Sequence, residues 1–292
     1  MKLRSSTACI AYGRGRRFWV AVGIWALVAT VASTMLLLGA GCTGPTETRE
    51  DTFHIGESPM LVVNTENGAI EVNVGPAGTI HVEATLRNAP RVEYQVDQDG
   101  DTVTVDAQVT EPLGNAGADI TVTVPTNTEV DLVTSNGSIE VHGIEASGLL
   151  HTSNGKVVLD EVKGDFDATT SNGDIEVTIM EGIATLRTSN GSVTLVDVKG
   201  TFDAQTSNGP IAFSGEMTAG GENRLQTSSG RVTVQLQGTL SVELDASTTN
   251  GQVTCTLPIL ASVTETEHLV GTIGDGEAEL IIRTSNGDVT IE

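Results

Sequence analysis

The chain has 292 residues and a formal net charge of −23, from 15 Lys and Arg against 38 Asp and Glu. Lys2, Arg4, Arg14, Arg16 and Arg17 all precede the first acid, Glu47, so the chain after residue 41 carries 10 basic against 38 acidic side chains. Such a surface repels nucleic acid and anionic head groups, and with only Phe53, Tyr94, Phe166, Phe202 and Phe213 as aromatics after residue 41 a binding face of stacked Trp and Tyr is excluded too.

Residues 1–41 read as an export signal or membrane anchor: a basic start, then an apolar run from Phe18 to Gly41. The run is longer than the 7–15 apolar residues of a common cleaved signal and long enough to span a bilayer. It ends in Leu38-Gly39-Ala40-Gly41-Cys42, which resembles a bacterial lipoprotein signal with Cys42 as the lipidated residue, although Leu38 stands one step early. Lipidation of Cys42 and an uncleaved anchor both remain open, and either one exports the acidic remainder. Residues 42–51 are polar and aperiodic and read as a flexible tether. Residues 52–133 alternate polar and apolar without repeating, as in Ile70-Glu71-Val72-Asn73-Val74 and Thr102-Val103-Thr104-Val105. They read as an N-terminal β region capping the remainder of the chain.

From residue 134 to 292 a repeat dominates. Thr-Ser-Asn-Gly stands at 134–137, 152–155, 170–173, 188–191, 206–209 and 284–287, with variants at 227–230 and 248–251 and an earlier echo, Thr65-Glu66-Asn67-Gly68. The glycines are spaced 18, 18, 18, 18, 21, 21 and 36 apart, and the last interval predicts a degenerate copy between 251 and 287. After each glycine, apolar positions alternate with polar ones (Ile139 and Val141, Val157 and Leu159, Ile175 and Val177), the mark of a strand with one buried face. A unit of this size cannot bury its own face, so the units stack in parallel. The fold class is all-β: a single-stranded parallel β-helix, or β-solenoid, of 18–21-residue coils. Gly148, Phe166, Ala184 and Phe202 fall at one position of successive units, so large and small volumes complement each other between coils.

At the corners, Asn136, Asn154, Asn172, Asn190 and Asn208 are expected to form a ladder of side-chain amides. Gly137, Gly155, Gly173, Gly191 and Gly209 are expected to supply left-handed backbone.

No chemistry-bearing motif emerges. Asp97-Gln98-Asp99-Gly100-Asp101 lacks the glycine and glutamate placement of a calcium loop and reads as a hairpin turn. His54, His81, His142, His151 and His268 show no metal-ligand spacing. Cys255, at an inward strand position, reads as a small buried hydrophobe. No cofactor, metal or catalytic residue is expected.

The Thr-Ser-Asn-Gly-Asp-Ile-Glu-Val run at 170–177, its copies and the lead-in Val124-Pro125-Thr126-Asn127-Thr128-Glu129-Val130 resemble a bacterial candidate-adhesin domain of unknown function, a β-strand repeat family often found on exported lipoproteins. The resemblance covers about residues 60–292. It implies a right-handed β-helix with a surface-binding role, and it brings no catalytic residues.

Three functions are then expected in descending order. The first is a non-catalytic binding or adhesion protein of the cell envelope, with a glycan or protein ligand. The second is a scaffold polymerising end to end, because Val289-Thr290-Ile291-Glu292 stops mid-coil and leaves an edge. The third is a polysaccharide-cleaving β-helix enzyme, disfavoured because the outward positions Ser138, Lys156, Asp174, Ser192 and Pro210 hold no acid–base cluster. The membrane is contacted through the N-terminus, nucleic acid is not a partner, and self-association stays open.

Overall fold

The computed structural model describes residues 44–111 and 114–292, so the leader and Cys42 lie outside it. The described residues form a β-solenoid whose coils each contribute one strand to either of two sheet faces. On the first face lie β2 (Met60–Thr65), β6 (Thr102–Val109), β8 (Glu129–Thr134) and β10 (Gly148–Thr152). They are followed by the second halves of β11 (Val157–Thr169), β12 (Ile175–Arg187) and β13 (Val193–Asn208), then β15 (Glu222–Ser229), β21 (Ala278–Asn286) and β17 (Val242–Asn250). On the second face lie β3 (Ile70–Val74), β7 (Gly117–Val124), β9 (Ile139–His142), the first halves of β11 to β13, β14 (Ile211–Met217), β16 (Val232–Leu236), β18 (Val253–Cys255) and β22 (Val289–Ile291). Within each face these strands pair in parallel, and identical repeat positions face each other: Ile139 with Val157, Val157 with Ile175, Ile175 with Val193, Val193 with Ile211.

The alternation read from the sequence is the burial pattern. Val157, Leu159, Ile175, Val177, Val193 and Leu195 are fully buried between the faces, while the residues between them are partly exposed. Gly148 pairs with Phe166, Phe166 with Ala184 and Ala184 with Phe202, so each ring lies over a small residue of the next coil. The fit is tight: a Cβ on Gly148 would stand 2.7 Å from the Phe166 ring. The Phe202 ring also meets that of Phe213 across the interior, with centroids 4.3 Å apart.

Several expectations are corrected. Residues 47–51 are not tether. They belong to β1 (Glu47–His54), which pairs antiparallel with β4 (Thr79–Arg87). Both faces of β1 are at least partly exposed, so its polarity is that of an outer strand held by backbone hydrogen bonds. The solenoid also begins before residue 134. The coil of β2 and β3 lies between the coil of β6 and β7 and the coil of β8 and β9. Thr65-Glu66-Asn67-Gly68 is therefore a true corner, and only β1, β4 and β5 (Val92–Asp99) cap the stack, running antiparallel over the edges of β7 and β6.

The far end departs from chain order in the same way. No further copy lies between 251 and 287. That stretch holds β19 (Leu260–Thr264) and β20 (His268–Ile273), an antiparallel pair that closes the free edge of β17. The chain then returns, and β21 and β22 slot between the coil of β15 and β16 and the coil of β17 and β18. Val289–Ile291 is thus paired on both sides and offers no edge, which removes the premise of the end-to-end scaffold.

The hairpin read at Asp97–Asp101 is present: Asp99 faces Thr102, and Gly100 takes φ +62°. Left-handed backbone at the five corners where it is expected is not, although Gly287 of the last copy has φ +153°. Among the corner glycines Gly137, Gly155, Gly173, Gly191 and Gly209, none has positive φ. Positive φ sits at the opposite corner of the coil, at Glu161 (+55°), Ile179 (+52°) and Asp197 (+54°) and at Gly164, Gly182 and Gly200.

Candidate functional site

The corner tetrapeptide is a closed system of hydrogen bonds. Its threonines are buried, and each hydroxyl donates to the carbonyl of a glycine in the adjoining coil: Thr152 to Gly137 (3.0 Å), Thr170 to Gly155 (3.0 Å), Thr188 to Gly173 (2.9 Å), Thr206 to Gly191 (2.9 Å). The asparagines stack outside them. Asn136 Nδ2 donates to Asn67 Oδ1 (2.7 Å), Asn154 to Asn136 (2.9 Å), Asn172 to Asn154 (2.8 Å), Asn190 to Asn172 (3.0 Å) and Asn208 to Asn190 (3.0 Å). Ser229 interrupts the ladder, which resumes where Asn250 donates to Asn286 (3.0 Å).

The glycines are required by proximity. A Cβ on Gly173 would overlap the carbonyl oxygen of Gly155, and the same holds at Gly155, Gly191 and Gly209 against the coil before each. The structure therefore brings the whole corner set together in one column. Its amides bond mainly to one another, so this column is a fastening.

Carboxylates add further fastenings. Asp174 accepts the Ser192 backbone N–H (2.7 Å) and hydroxyl (2.8 Å), and these two bonds hold its carboxyl below the usual range. Asp119 accepts the Ala69 N–H (3.0 Å), and Asp288 that of Gln252 (3.1 Å). At the far end, Asp245 is ion-paired to Arg283 and lies 3.1 Å from His268 Nε2, tying β20 to β17. Burial pushes its carboxyl up, but the hydrogen bonds and charge of Arg283 and His268 outweigh this and leave it below the ordinary value. Cys255 is half-buried, and burial raises its thiol. Among the described residues no group of three or more His, Cys, Asp and Glu side chains could hold a metal.

A groove of about 390 Å³ on the first face has binding geometry. It crosses the coils of β2, β8, β10, β11 and β12 and is lined by Met60, Leu149 and Ile183 with Glu129, Asp131, Asp165 and Asp167. The strand is broken between β9 and β10, over residues 143–147, where β11 and β12 run on unbroken. Ser147, at the end of that break, is the small residue of the outward column it shares with Glu129, Asp165 and Ile183. Leu149 and Ile183 are 57% and 49% exposed at outward positions that the alternation reserves for polar residues. Asp131 and Asp167 flank Leu149 in register, and Asp165 faces Ile183. Sequence reading missed this site because each carboxylate alone is one acid among 38. The legible signal was an apolar side chain in a polar column.

The profile of the Toastrack DUF4097 family matches residues 59–292. The chain belongs to this family. The match starts within one residue of β2, so the Toastrack domain comprises the whole stack together with β4, β5 and the far cap. Among solved structures, a candidate adhesin from Bacteroides fragilis is similar at 12% identity and a TM-score of 0.45, over 85% of this chain and 97% of that one. A candidate lipid-binding protein from Parabacteroides distasonis is similar at 15% identity and a TM-score of 0.41, over 85% and 97%. A candidate cell adhesion protein from Clostridium sporogenes is similar at 13% identity and a TM-score of 0.29, over 84% and 99%. These likenesses are too distant to carry a functional argument for the Toastrack domain of this chain. No curated protein matches it.

Proposed function

We propose that this protein is a non-catalytic binding protein of the cell envelope, exported by its leader and held at the membrane through its N-terminus by lipid on Cys42. The basic-then-apolar leader ending in Gly41-Cys42 and the acidic remainder support the export and the anchor. The observation that carries the binding role is the groove. Leu149 and Ile183 are exposed beside Met60 in a groove rimmed by Glu129, Asp131, Asp165 and Asp167, and exposed apolar patches rimmed by polar groups mark interaction sites.

The solenoid suits this work. Its backbone groups are paired from coil to coil, so the face is rigid and loses little entropy when a ligand docks. Its carboxylates are spread along columns as single contacts, which favours many modest interactions over one reacting pair.

Envelope fractionation with mass spectrometry of the N-terminal peptide tests the anchor. A diacylglyceryl adduct on Cys42, lost together with membrane retention in Cys42→Ala, is the expected result. An unmodified chain beginning at Met1 in the membrane would replace lipid by the leader itself. Filling the groove tests the binding role: Ser147→Trp should reduce recovery of an envelope component crosslinked to the full chain. A component retained equally by the filled variant would move the role elsewhere on the surface.

A further inference from the structure

The groove's composition restricts its ligand further than a general binding role requires, and the ligand class depends on that proposed role. The outward side chains along it form two columns. Met60, Glu129, Ser147, Asp165 and Ile183 make one, and Asp131, Leu149, Asp167 and Thr185 the other. Adjacent coils are about 4.8 Å apart, so carboxylates two coils apart in one column, Glu129 and Asp165 or Asp131 and Asp167, stand about 10 Å from each other. No residue lining the groove is basic.

That spacing is too wide for the two carboxylates of a column to share one metal ion, whose oxygen ligands lie within about 2.6 Å of it. Several separated positive charges answer it instead. The apolar floor of Met60, Leu149 and Ile183 asks for aliphatic groups between those charges. A second copy of this chain would bring its own excess of acid and be repelled. A glycan would find no exposed aromatic ring here, since Phe166, which lies beneath, is buried.

We propose that the groove docks a cationic peptide segment in the polyproline II conformation, with Lys or Arg at about every third residue and aliphatic side chains between. One turn of polyproline II chain is three residues and about 9 Å, so every third side chain falls on the same side at close to the carboxylate spacing along each column. The whole groove, five coils or about 19 Å deep in the stack direction, takes about six residues. The basic groups would neutralise Glu129, Asp131, Asp165 and Asp167, while the aliphatic groups cover Leu149 and Ile183 from water. Affinity then falls with added salt, because the contacts are exposed.

The test uses the full chain in detergent micelles and a fluorescent peptide, Lys-Leu-Thr-Lys-Leu-Thr-Lys, read by polarisation. The variants are Asp131→Asn with Asp167→Asn, Ser147→Trp, and a charge-matched control, Glu71→Gln with Glu140→Gln. The control pair faces each other on the second sheet face. Unchanged urea midpoints establish that each variant is folded. The expected result is saturable binding weakened about tenfold or more by each groove variant and less than about twofold by the control. A peptide with Ser in place of Leu should bind less well.

Equal weakening by groove and control variants would reduce the attraction to general charge and overturn the proposal, as would equal affinity for the leucine-free peptide or no binding at all. The same variants separate the ligand class from the binding role. If the peptide fails to bind while an envelope component is still captured through the groove, the ligand class is wrong and the binding role stands.

Discussion

Replacing Gly173 by alanine should destabilise the protein by about 3–5 kcal/mol, for a reason unrelated to backbone torsion. Gly173 does not have positive φ, so alanine could adopt its backbone. What fails is the space. The new Cβ would overlap the carbonyl oxygen of Gly155, and that oxygen already accepts the buried Thr170 hydroxyl at 3.0 Å. The coils cannot separate locally, because flanking strand pairs such as Leu159–Val177 and Ala168–Leu186 hold them in register. Relief by displacement of the corner would stretch the Thr170 bond and, one coil on, the 2.9 Å bond from Thr188 to Gly173. Losing or weakening two such bonds costs roughly 1 kcal/mol each, and the overpacking adds about 1–3 kcal/mol. Asn172→Ala, by contrast, removes exposed ladder bonds that water replaces, and should cost under about 1 kcal/mol. Gly100→Ala is the torsional control: it has φ +62° with nothing near its Cβ, and should cost about 1–2 kcal/mol from backbone strain alone. Urea unfolding of the three variants, compared at equal slope, measures these differences. A Gly173→Ala midpoint equal to wild type, or a loss smaller than that of Gly100→Ala, would refute close approach as the reason for glycine in the repeat.

Phe202→Ala should cost about 3–5 kcal/mol in the same assay, since it empties a fully enclosed position between Ala184 and the Phe213 ring. Ile179→Asn should raise stability by up to about 1 kcal/mol, because a β-branched residue at φ +52° is strained and its side chain is half exposed, so little packing is lost; a destabilised variant would show that the Ile179 contacts outweigh the strain. The Asp245 carboxyl is held below its ordinary value in the folded state. Its contribution is therefore present above the ordinary carboxylate range and lost as pH falls through the lower folded value. Asp245→Asn should lower stability at neutral pH and flatten the acid limb of a stability–pH curve, whereas parallel curves for variant and wild type would show that the pairing with Arg283 and His268 contributes nothing.

The class of fold and most of its interior were legible because they are local and periodic. A strand with one buried face must alternate, a unit of 18 residues must repeat its neighbour's pattern to stack on it, and Phe166 over Ala184 follows from alignment alone. The asparagine column was legible for the same reason: identical positions in register face each other at one coil spacing. What the sequence could not order is which coil lies beside which. The pairings of β2 with β6 and β8, and of β21 with β15 and β17, join segments that are not consecutive. Any strand of the right alternation satisfies a neighbour's hydrogen bonds equally well, so periodicity carries no information about insertion order.

The corner glycines show the same limit from the other side. Their presence was plain in the sequence. Their reason, an oxygen of the adjoining coil where a Cβ would stand, exists only once two coils are in contact. The groove is of this kind as well. Met60, Asp131, Leu149, Asp167 and Ile183 are scattered over more than 120 positions, and only the parallel register sets their side chains on one face, around small Ser147.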